Sequence, residues 1–191
     1  MVFRFYQNGL KLNKVLMELF VKEVFPMKNT LISEDTDKIS LVKGKKGQRE
    51  VSSPYSGAKP SEVADVYWIY AWSKKGEYPK PTPRSGKWLV FVDIKNVDEV
   101  WAKIKKATEE GRLGGCSKVS TAKPSPLAVS PDMKVICVYT YDWTDEEDAR
   151  RIREELRKLG IADKIPYKAD EDTLKGRYMI KGHKKISKYY E

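Results

Sequence analysis

Histidine and cysteine are scarce in this chain of 191 residues, which contains one histidine, His183, and two cysteines, Cys116 and Cys137. A single histidine cannot build a histidine-based metal cluster or a two-histidine relay. Two cysteines make neither a disulfide framework nor a zinc site, and the apolar neighbours of Cys137 indicate a buried, inert thiol. The sequence therefore predicts a protein without a metal site.

Long apolar runs and glycine-rich phosphate loops are also missing from the sequence. No run approaches the roughly 20 apolar residues of a membrane-spanning helix, and residues 1–6 begin no apolar stretch of signal-peptide length. We therefore expect a soluble, cytoplasmic protein with no membrane partner. Neither a GxxxxGK[ST] loop nor a dinucleotide-binding glycine motif occurs. The sequence predicts no cofactor and favours a non-enzymatic protein, with catalysis left open.

Positive charge is in surplus. The sequence has 37 lysine and arginine residues but 27 aspartate and glutamate residues, which gives a formal net charge of +10. A surplus of this size favours polyanionic partners such as RNA, DNA or nucleotides. Proteins of thermophiles are rich in lysine and glutamate as well, which accounts for many charges but not for the imbalance. Hydrophobic residues at 40% and aromatic residues at 11% are typical of a globular domain.

The first third of the chain has the weaker structural pattern. Apolar residues at helical spacing predict an amphipathic helix over residues 10–25, and residues 39–42 predict a short strand. Residues 52–60 have the composition of a linker. We therefore predict a helical, basic segment over residues 1–60 that belongs to the same domain as residues 61–191.

Strands and helices alternate along the remainder of the chain. Helices are predicted after the N-cap Asn96 and after a capping box at Thr144–Glu147. Strands are predicted from β-branched and aromatic runs over residues 65–72, 87–93, 118–121, 134–141 and 186–190. The fold class that fits is α/β (α+β), a curved, mainly antiparallel sheet with helices packed on one face.

Basic and aromatic residues are interleaved on and beside these strands. Aromatic rings stack on bases, arginine holds a phosphate with a two-pronged fork, and lysine supplies a point charge. Trp68, Trp88 and Trp101 are predicted to be core residues instead. The candidate ligand-binding residues are Trp72, Tyr78, Arg84, Lys87, Lys118, Lys123, Trp143, Lys168 and Arg177.

Four sequence motifs, in this order and at similar spacing, resemble the Bles (basophilic leukaemia expressed protein) family. They are Arg84–Phe91, Lys118–Thr121, Val135–Tyr139 and Ser187–Tyr190. The resemblance covers about residues 60–191. It implies the fold of the mRNA-cap-binding translation initiation factor.

A fainter resemblance to the cap-binding factor itself lies in Gly86–Leu89, which is similar to the Gly-Arg-Trp-Leu of that family. There a cap-stacking tryptophan is followed by a glutamate that reads guanine, whereas the corresponding place here holds Tyr78 and Pro79. The residues that best match the holders of the cap phosphates are Lys118 and Lys123. The resemblance implies a concave phosphate-binding surface without true cap recognition, because a cationic base needs two large rings and a carboxylate.

An enzyme that acts on phosphoryl substrates is one alternative to a binding module for RNA or nucleotides. Some proteins of the resembled type are described as phosphothreonine lyases. That activity would imply catalytic residues among Lys87, Lys118 and His183, with Arg84 or Arg177 holding the phosphate.

A protein-interaction module is the other alternative. Cap-binding factors receive partner peptides on a convex helical surface, which here would be the helices around Trp101 and Ile152. An exposed apolar patch on those helices would favour this interpretation, and burial of Trp101 would count against it.

Overall fold

The computed structural model describes residues 55, 57–125, 128, 130–178, 182 and 186–191. The helix predicted over residues 10–25, the strand predicted over residues 39–42 and His183 all lie outside the described residues. No helix within the described ranges is long and apolar enough to span a bilayer.

Six strands of the described chain form one sheet in which every neighbouring pair is antiparallel. The strand order is β1-β3-β4-β2-β5-β6, so β4 and β2 are central. The predicted curved, antiparallel sheet is thereby confirmed. The strands are β1 (Trp68–Trp72), β2 (Gly86–Asp93), β3 (Cys116–Ser120), β4 (Met133–Thr140), β5 (Pro166–Ala169) and β6 (Tyr189–Tyr190).

Within the described residues, three helices accompany the sheet: α1 (Val97–Glu109), α2 (Glu146–Lys158) and α3 (Asp170–Leu174). Asn96 is the N-cap residue of α1, as predicted. The predicted capping box of α2 was wrong by one residue. Asp145 is the N-cap, and its carboxylate accepts a hydrogen bond from the Asp148 amide. Thr144 instead donates its hydroxyl to Asp142 at 2.7 Å.

The main core lies between one face of the sheet and the helices α1 and α2. Trp88 of β2 is fully buried there, its Nε1 donates to the Ala149 carbonyl at 3.0 Å, and its ring meets Tyr167 edge to face. Trp101 and Ile152 are also buried in this core. The predicted core positions of Trp88 and Trp101 are confirmed, and neither Trp101 nor Ile152 can supply an exposed partner surface.

The opposite side of the sheet carries a second, smaller cluster. Trp68 lies here and not in the main core as predicted, because it alternates along β1 with the core residue Ile69. The same alternation brings Lys87, Lys118 and Lys168 to this side, which we call the lysine face. Its other members are Cys116, Cys137 and Tyr139, with Tyr70, Trp72, Leu89 and Val135 packed around them.

Candidate functional site

Strand register brings three of the sequence-predicted lysines together on the lysine face. Lys87 of β2 lies opposite Tyr139 of β4 on one side and opposite Lys168 of β5 on the other. Lys118 of β3 lies opposite Cys137, two residues before Tyr139 on β4. Since side chains of a strand alternate between faces, these residues all point to the same side.

Tyr139 is at the centre of this group. The Nζ of Lys87 lies 5.4 Å from the centroid of the Tyr139 ring, and the Nζ of Lys118 lies 5.7 Å from the same point. The hydroxyl of Tyr139 is buried and has no hydrogen-bond partner among the described residues. Burial raises the pKa of Tyr139, so the phenol keeps its proton. Because a buried hydroxyl without a partner is costly, Tyr139 is a ready donor for a ligand oxygen.

Asp170 balances part of the positive charge on the lysine face. Its carboxylate accepts hydrogen bonds from the Nζ of Lys87 and, at 2.7 Å, from the hydroxyl of Ser85. Lys87 also donates to the Thr173 hydroxyl at 3.0 Å. The side chains of Lys87 and Asp170 are 8% and 3% exposed, so this ion pair is shielded from water. The start of α3 therefore holds Lys87 in place.

Lys168 has a different environment. Its Nζ donates to the Arg177 carbonyl at 2.6 Å and lies 3.7 Å from the centroid of the Tyr178 ring. Burial and, next, the neighbouring charge of Lys87 lower the pKa of Lys168 to about 8. The ammonium form therefore predominates at pH 7 and is lost above pH 8, and a bound anion would shift the pKa upward again. The charge of the lysine face thus depends on pH near neutrality.

Aromatic rings of β1 border the lysines. The Nζ of Lys118 lies 4.2 Å from the centroid of the Trp68 ring and 5.8 Å from that of Tyr70. Tyr70 and Trp72 stack with 6.1 Å between centroids and 10° between their planes. Flat rings beside buried lysines are the combination that stacks bases and neutralises phosphates.

The family model described as basophilic leukemia-expressed protein Bles03 matches residues 81–173. Over this segment the chain is Bles-like. The family resemblance predicted from the sequence motifs is confirmed over this segment, whereas the motif Ser187–Tyr190 lies outside it. The matched segment runs from the loop before β2 into α3 and includes all three lysines, whereas β1 lies outside it.

Solved structures with a similar fold are cap-binding factors in complexes. Schistosome eIF4E complexed with m7GpppA and 4E-BP is 16% identical, with 70% of the Bles-like chain and 75% of that chain covered and a TM-score of 0.50. C. elegans eIF4E-3 with the 4E-binding protein Mextli and cap analog is 22% identical, with 62% and 72% covered and a TM-score of 0.47. At such identities the likeness shows the fold alone, and the predicted cap-binding-factor-like fold is confirmed.

Two of the predicted aromatic site residues lie on the main-core side of the sheet. Tyr78 donates its hydroxyl to Asp148 of α2 and meets Tyr141 edge to face, with 5.7 Å between ring centroids. Burial, with the Asp148 hydrogen bond next, raises the pKa of Tyr78. Trp143 packs against the main core, and the Nζ of Lys188 lies 4.5 Å from its ring centroid. Neither ring is a member of the lysine face.

Two of the predicted basic residues are engaged by other groups. Lys123 donates to the Asp65 carbonyl at 3.0 Å and lies 4.2 Å from the centroid of the Tyr67 ring. The guanidinium of Arg177 pairs with Asp172 at 3.1 Å, although its carbonyl contacts Lys168 as described above. Lys123 thus lies beside the start of β1, and Arg177 lies beside the lysine face.

Arg84 is held by a carboxylate in front of β2. Its Nε and Nη2 donate to Asp142 at 3.1 Å and 2.7 Å. Asp142 also accepts from Thr82 at 3.0 Å and from the Thr144 amide at 2.9 Å. The Arg84 guanidinium holds the pKa of Asp142 well below its usual range. The arrangement indicates that Arg84 fixes the loop that leads into β2.

Replacing Asp142 by asparagine should flatten the acid side of the stability profile. A carboxyl whose pKa is depressed in the fold contributes stability above its unfolded pKa of about 3.9 and loses it as pH falls through the folded value. From about pH 4 downward, the free energy of unfolding should therefore fall more steeply for the wild type than for Asp142→Asn, as measured by urea unfolding. Glu146→Gln, at an exposed pair with Arg150, is the control that keeps the wild-type profile. Equal acid slopes for the wild type and Asp142→Asn would contradict the assignment.

Tyr139 and Asp170 are site residues that sequence reasoning missed. Tyr139 stands in the most apolar strand, where a tyrosine is expected to be a core residue. Alternation along the strand could have revealed it, because Tyr139 and Cys137 are two residues apart and their side chains therefore lie on the same face of the sheet. Asp170 follows Lys168 of β5 by two residues, so the same alternation could have placed both side chains on one face. Asp170, however, is the first residue of α3 and not part of the strand.

Proposed function

We propose that the lysine face binds a phosphate-bearing ligand, either RNA or a nucleotide. The observation that carries this proposal is the convergence of Lys87 and Lys118 on the Tyr139 ring, with Lys168 opposite Lys87 on the neighbouring strand. Desolvated cations attract an anion more strongly than exposed ones, because less of their field is screened by water. The rings of β1 next to these lysines supply a surface for a base.

Recognition of a methylated cap is not part of this proposal. A methylated guanine is cationic, and a site with three lysines repels a cation. The Trp68 ring already has the Nζ of Lys118 at 4.2 Å from its centroid, so its electron-rich face is in use. A neutral base on an anionic phosphate fits these charges better.

Tryptophan fluorescence tests the proposal directly. The protein is titrated with short single-stranded RNA and with mononucleotides at two salt concentrations. Stacking next to Trp68 or Trp72 should quench the fluorescence, and the affinity should fall with salt because phosphate contacts release counterions. Salt-dependent RNA binding without quenching would indicate a merely basic surface. No response to either ligand would contradict the proposal.

Lys118→Met should lower the affinity for the ligand by about one to two orders of magnitude. A hydrogen bond to a charged group contributes about 1.5–3 kcal/mol, and about 1.4 kcal/mol is a factor of ten. Lys103→Met is the matched control, because Lys103 lies on α1, is half-exposed and pairs with Glu99. An equal loss in both variants would mean that net charge alone drives binding. An unchanged affinity of Lys118→Met would place the ligand elsewhere.

Elimination of phosphate from phosphothreonine is a second candidate function. A lysine that acts as a base must be neutral, and the lowered pKa of Lys168 favours that residue over Lys87, which is paired with Asp170. Phosphate release from a phosphothreonine peptide, abolished in Lys168→Met, would support the lyase. Absence of turnover across pH 7–9 would reject it.

A further inference from the structure

The lysine face has a charge that distinguishes between kinds of phosphate. Lys87, Lys118 and Lys168 supply three positive charges, and Asp170 supplies one negative charge. With Lys168 protonated, these four side chains together carry a charge of +2. An internal phosphodiester carries one negative charge, whereas a terminal phosphomonoester carries about 1.5 to 2 at pH 7. The terminal group therefore matches the cluster better.

The depth of the cluster leads to the same distinction. Lys87, Lys118 and Lys168 are 6%, 9% and 4% exposed, and Tyr139 is 4% exposed. An internal phosphodiester has a sugar on each side, so bringing it to these groups would require both flanking nucleosides to be buried. A terminal phosphate projects from one end of its molecule and can reach buried donors alone.

The hydroxyl of Tyr139 is an independent observation that points to a ligand. It is buried without a partner among the described residues, and it belongs to the ring that the Nζ atoms of Lys87 and Lys118 approach to 5.4 Å and 5.7 Å from its centroid. A phosphomonoester offers three acceptor oxygens, one more than an internal diester. A phosphomonoester therefore offers the Tyr139 phenol and the neighbouring ammonium groups more acceptor oxygens than an internal diester does.

We propose that the lysine face recognises the terminal phosphomonoester of a nucleotide rather than an internal phosphodiester. Tyr139 and the lysines hold the phosphate, and the rings of Trp68, Tyr70 and Trp72 lie beside the base. This inference rests on the proposed function and narrows its ligand class.

Calorimetric titration of the full chain with four probes tests the inference. The probes are adenosine 5′-monophosphate, its 5′-phosphate methyl ester, the dinucleoside monophosphate ApA and a phosphothreonine peptide. Adenosine monophosphate should bind at least tenfold more tightly than its methyl ester or ApA, because only the monoester can carry a second charge. Tyr139→Phe should reduce the affinity for the monoester about tenfold and leave that for ApA unchanged.

The pH dependence gives a second readout. The second ionisation of a phosphomonoester has a pKa near 6, so its binding should weaken below about pH 6, whereas ApA has no such ionisation. Binding of the monoester should also weaken above about pH 8, where Lys168 loses its proton. Lys168→Arg should remove this upper limit while keeping the charge.

The outcomes separate this inference from the proposed function. Equal affinities for the monoester and ApA would overturn the inference and leave phosphate binding intact. Absence of binding by all probes would overturn both. Tighter binding of the phosphothreonine peptide than of adenosine monophosphate would overturn the nucleotide as ligand. If Tyr139→Phe unfolds at lower urea than the wild type, the methyl ester comparison in the wild type decides alone.

Discussion

Asp170→Ala should destabilise the folded protein by about 3–5 kcal/mol, because removal of one partner of a buried ion pair leaves the other charge uncompensated. The charge left without its carboxylate is the Nζ of Lys87, which would keep its hydrogen bond to Thr173. Urea unfolding of the wild type and the variant measures the difference. Substitution of both partners, Lys87→Met with Asp170→Leu, should recover much of the loss, since an apolar pair no longer contains a buried charge.

An exposed pair provides the control for this experiment. Lys103 and Glu99 on α1 have side chains that are 49% and 75% exposed, and Glu99→Ala should leave the free energy of unfolding nearly unchanged, because water screens such a pair. If Asp170→Ala costs as little as Glu99→Ala, the Lys87 side chain must reach water and the lysine face is more open than its burial indicates.

Trp88→Ala should have an effect of similar size, about 3–5 kcal/mol, because it leaves a cavity at the centre of the main core. The side chain is fully buried, and its loss would also leave the Ala149 carbonyl of α2 without the indole donor at 3.0 Å. Thermal or urea unfolding with the wild type as reference gives the magnitude. Since β2 carries Lys87 on its other face, ligand affinity should fall with stability in this variant.

Trp72→Ala is the matched control for the indole itself. Trp72 is only half-buried at the end of β1, on the lysine face. The loss of stability should be less than half of that for Trp88→Ala, while quenching by a bound nucleotide should change. Equal destabilisation by the two substitutions would show that the second cluster contributes as much to folding as the main core does.

The strands and the lysines of the site could be predicted because both leave a local signal. Alternation of apolar residues along β2 and β4 fixes which side chains share a face, and a lysine within such a strand is unusual enough to be noticed. Lys87, Lys118 and Lys168 were identified as basic residues that are interleaved with aromatic residues on or beside the predicted strands. Their grouping needed the strand order, which no local pattern contains.

The partners of the basic residues could not be predicted, because they are distant in sequence. Asp142 lies 58 residues from Arg84, and Asp170 lies 83 residues from Lys87. A sequence shows the basic residues but not which of them a carboxylate already holds. Arg84 was therefore taken as a candidate phosphate ligand, whereas the structure gives it a bidentate carboxylate.

The side of the sheet on which each aromatic residue lies was the least predictable feature of the site. Trp68 was expected in the core by its size, yet the period of β1 places it on the lysine face, beside Lys118. Tyr78 was expected to stack on a ligand, yet it lies in a loop whose path takes its hydroxyl to Asp148 on α2. Ring size indicates burial but not which of two apolar surfaces receives the ring.

The sheet order has a kinetic consequence for the lysine face. Its lysines come from β2, β3 and β5, which are separated in the chain by α1 and α2. Strands β2 and β5 pair directly, whereas β3 joins them only when β4 has paired with both β2 and β3. Closing such long-range pairings is the slow part of folding an antiparallel sheet. A partly folded chain therefore lacks a complete lysine face, and a ligand that bound there would stabilise only the completely paired sheet.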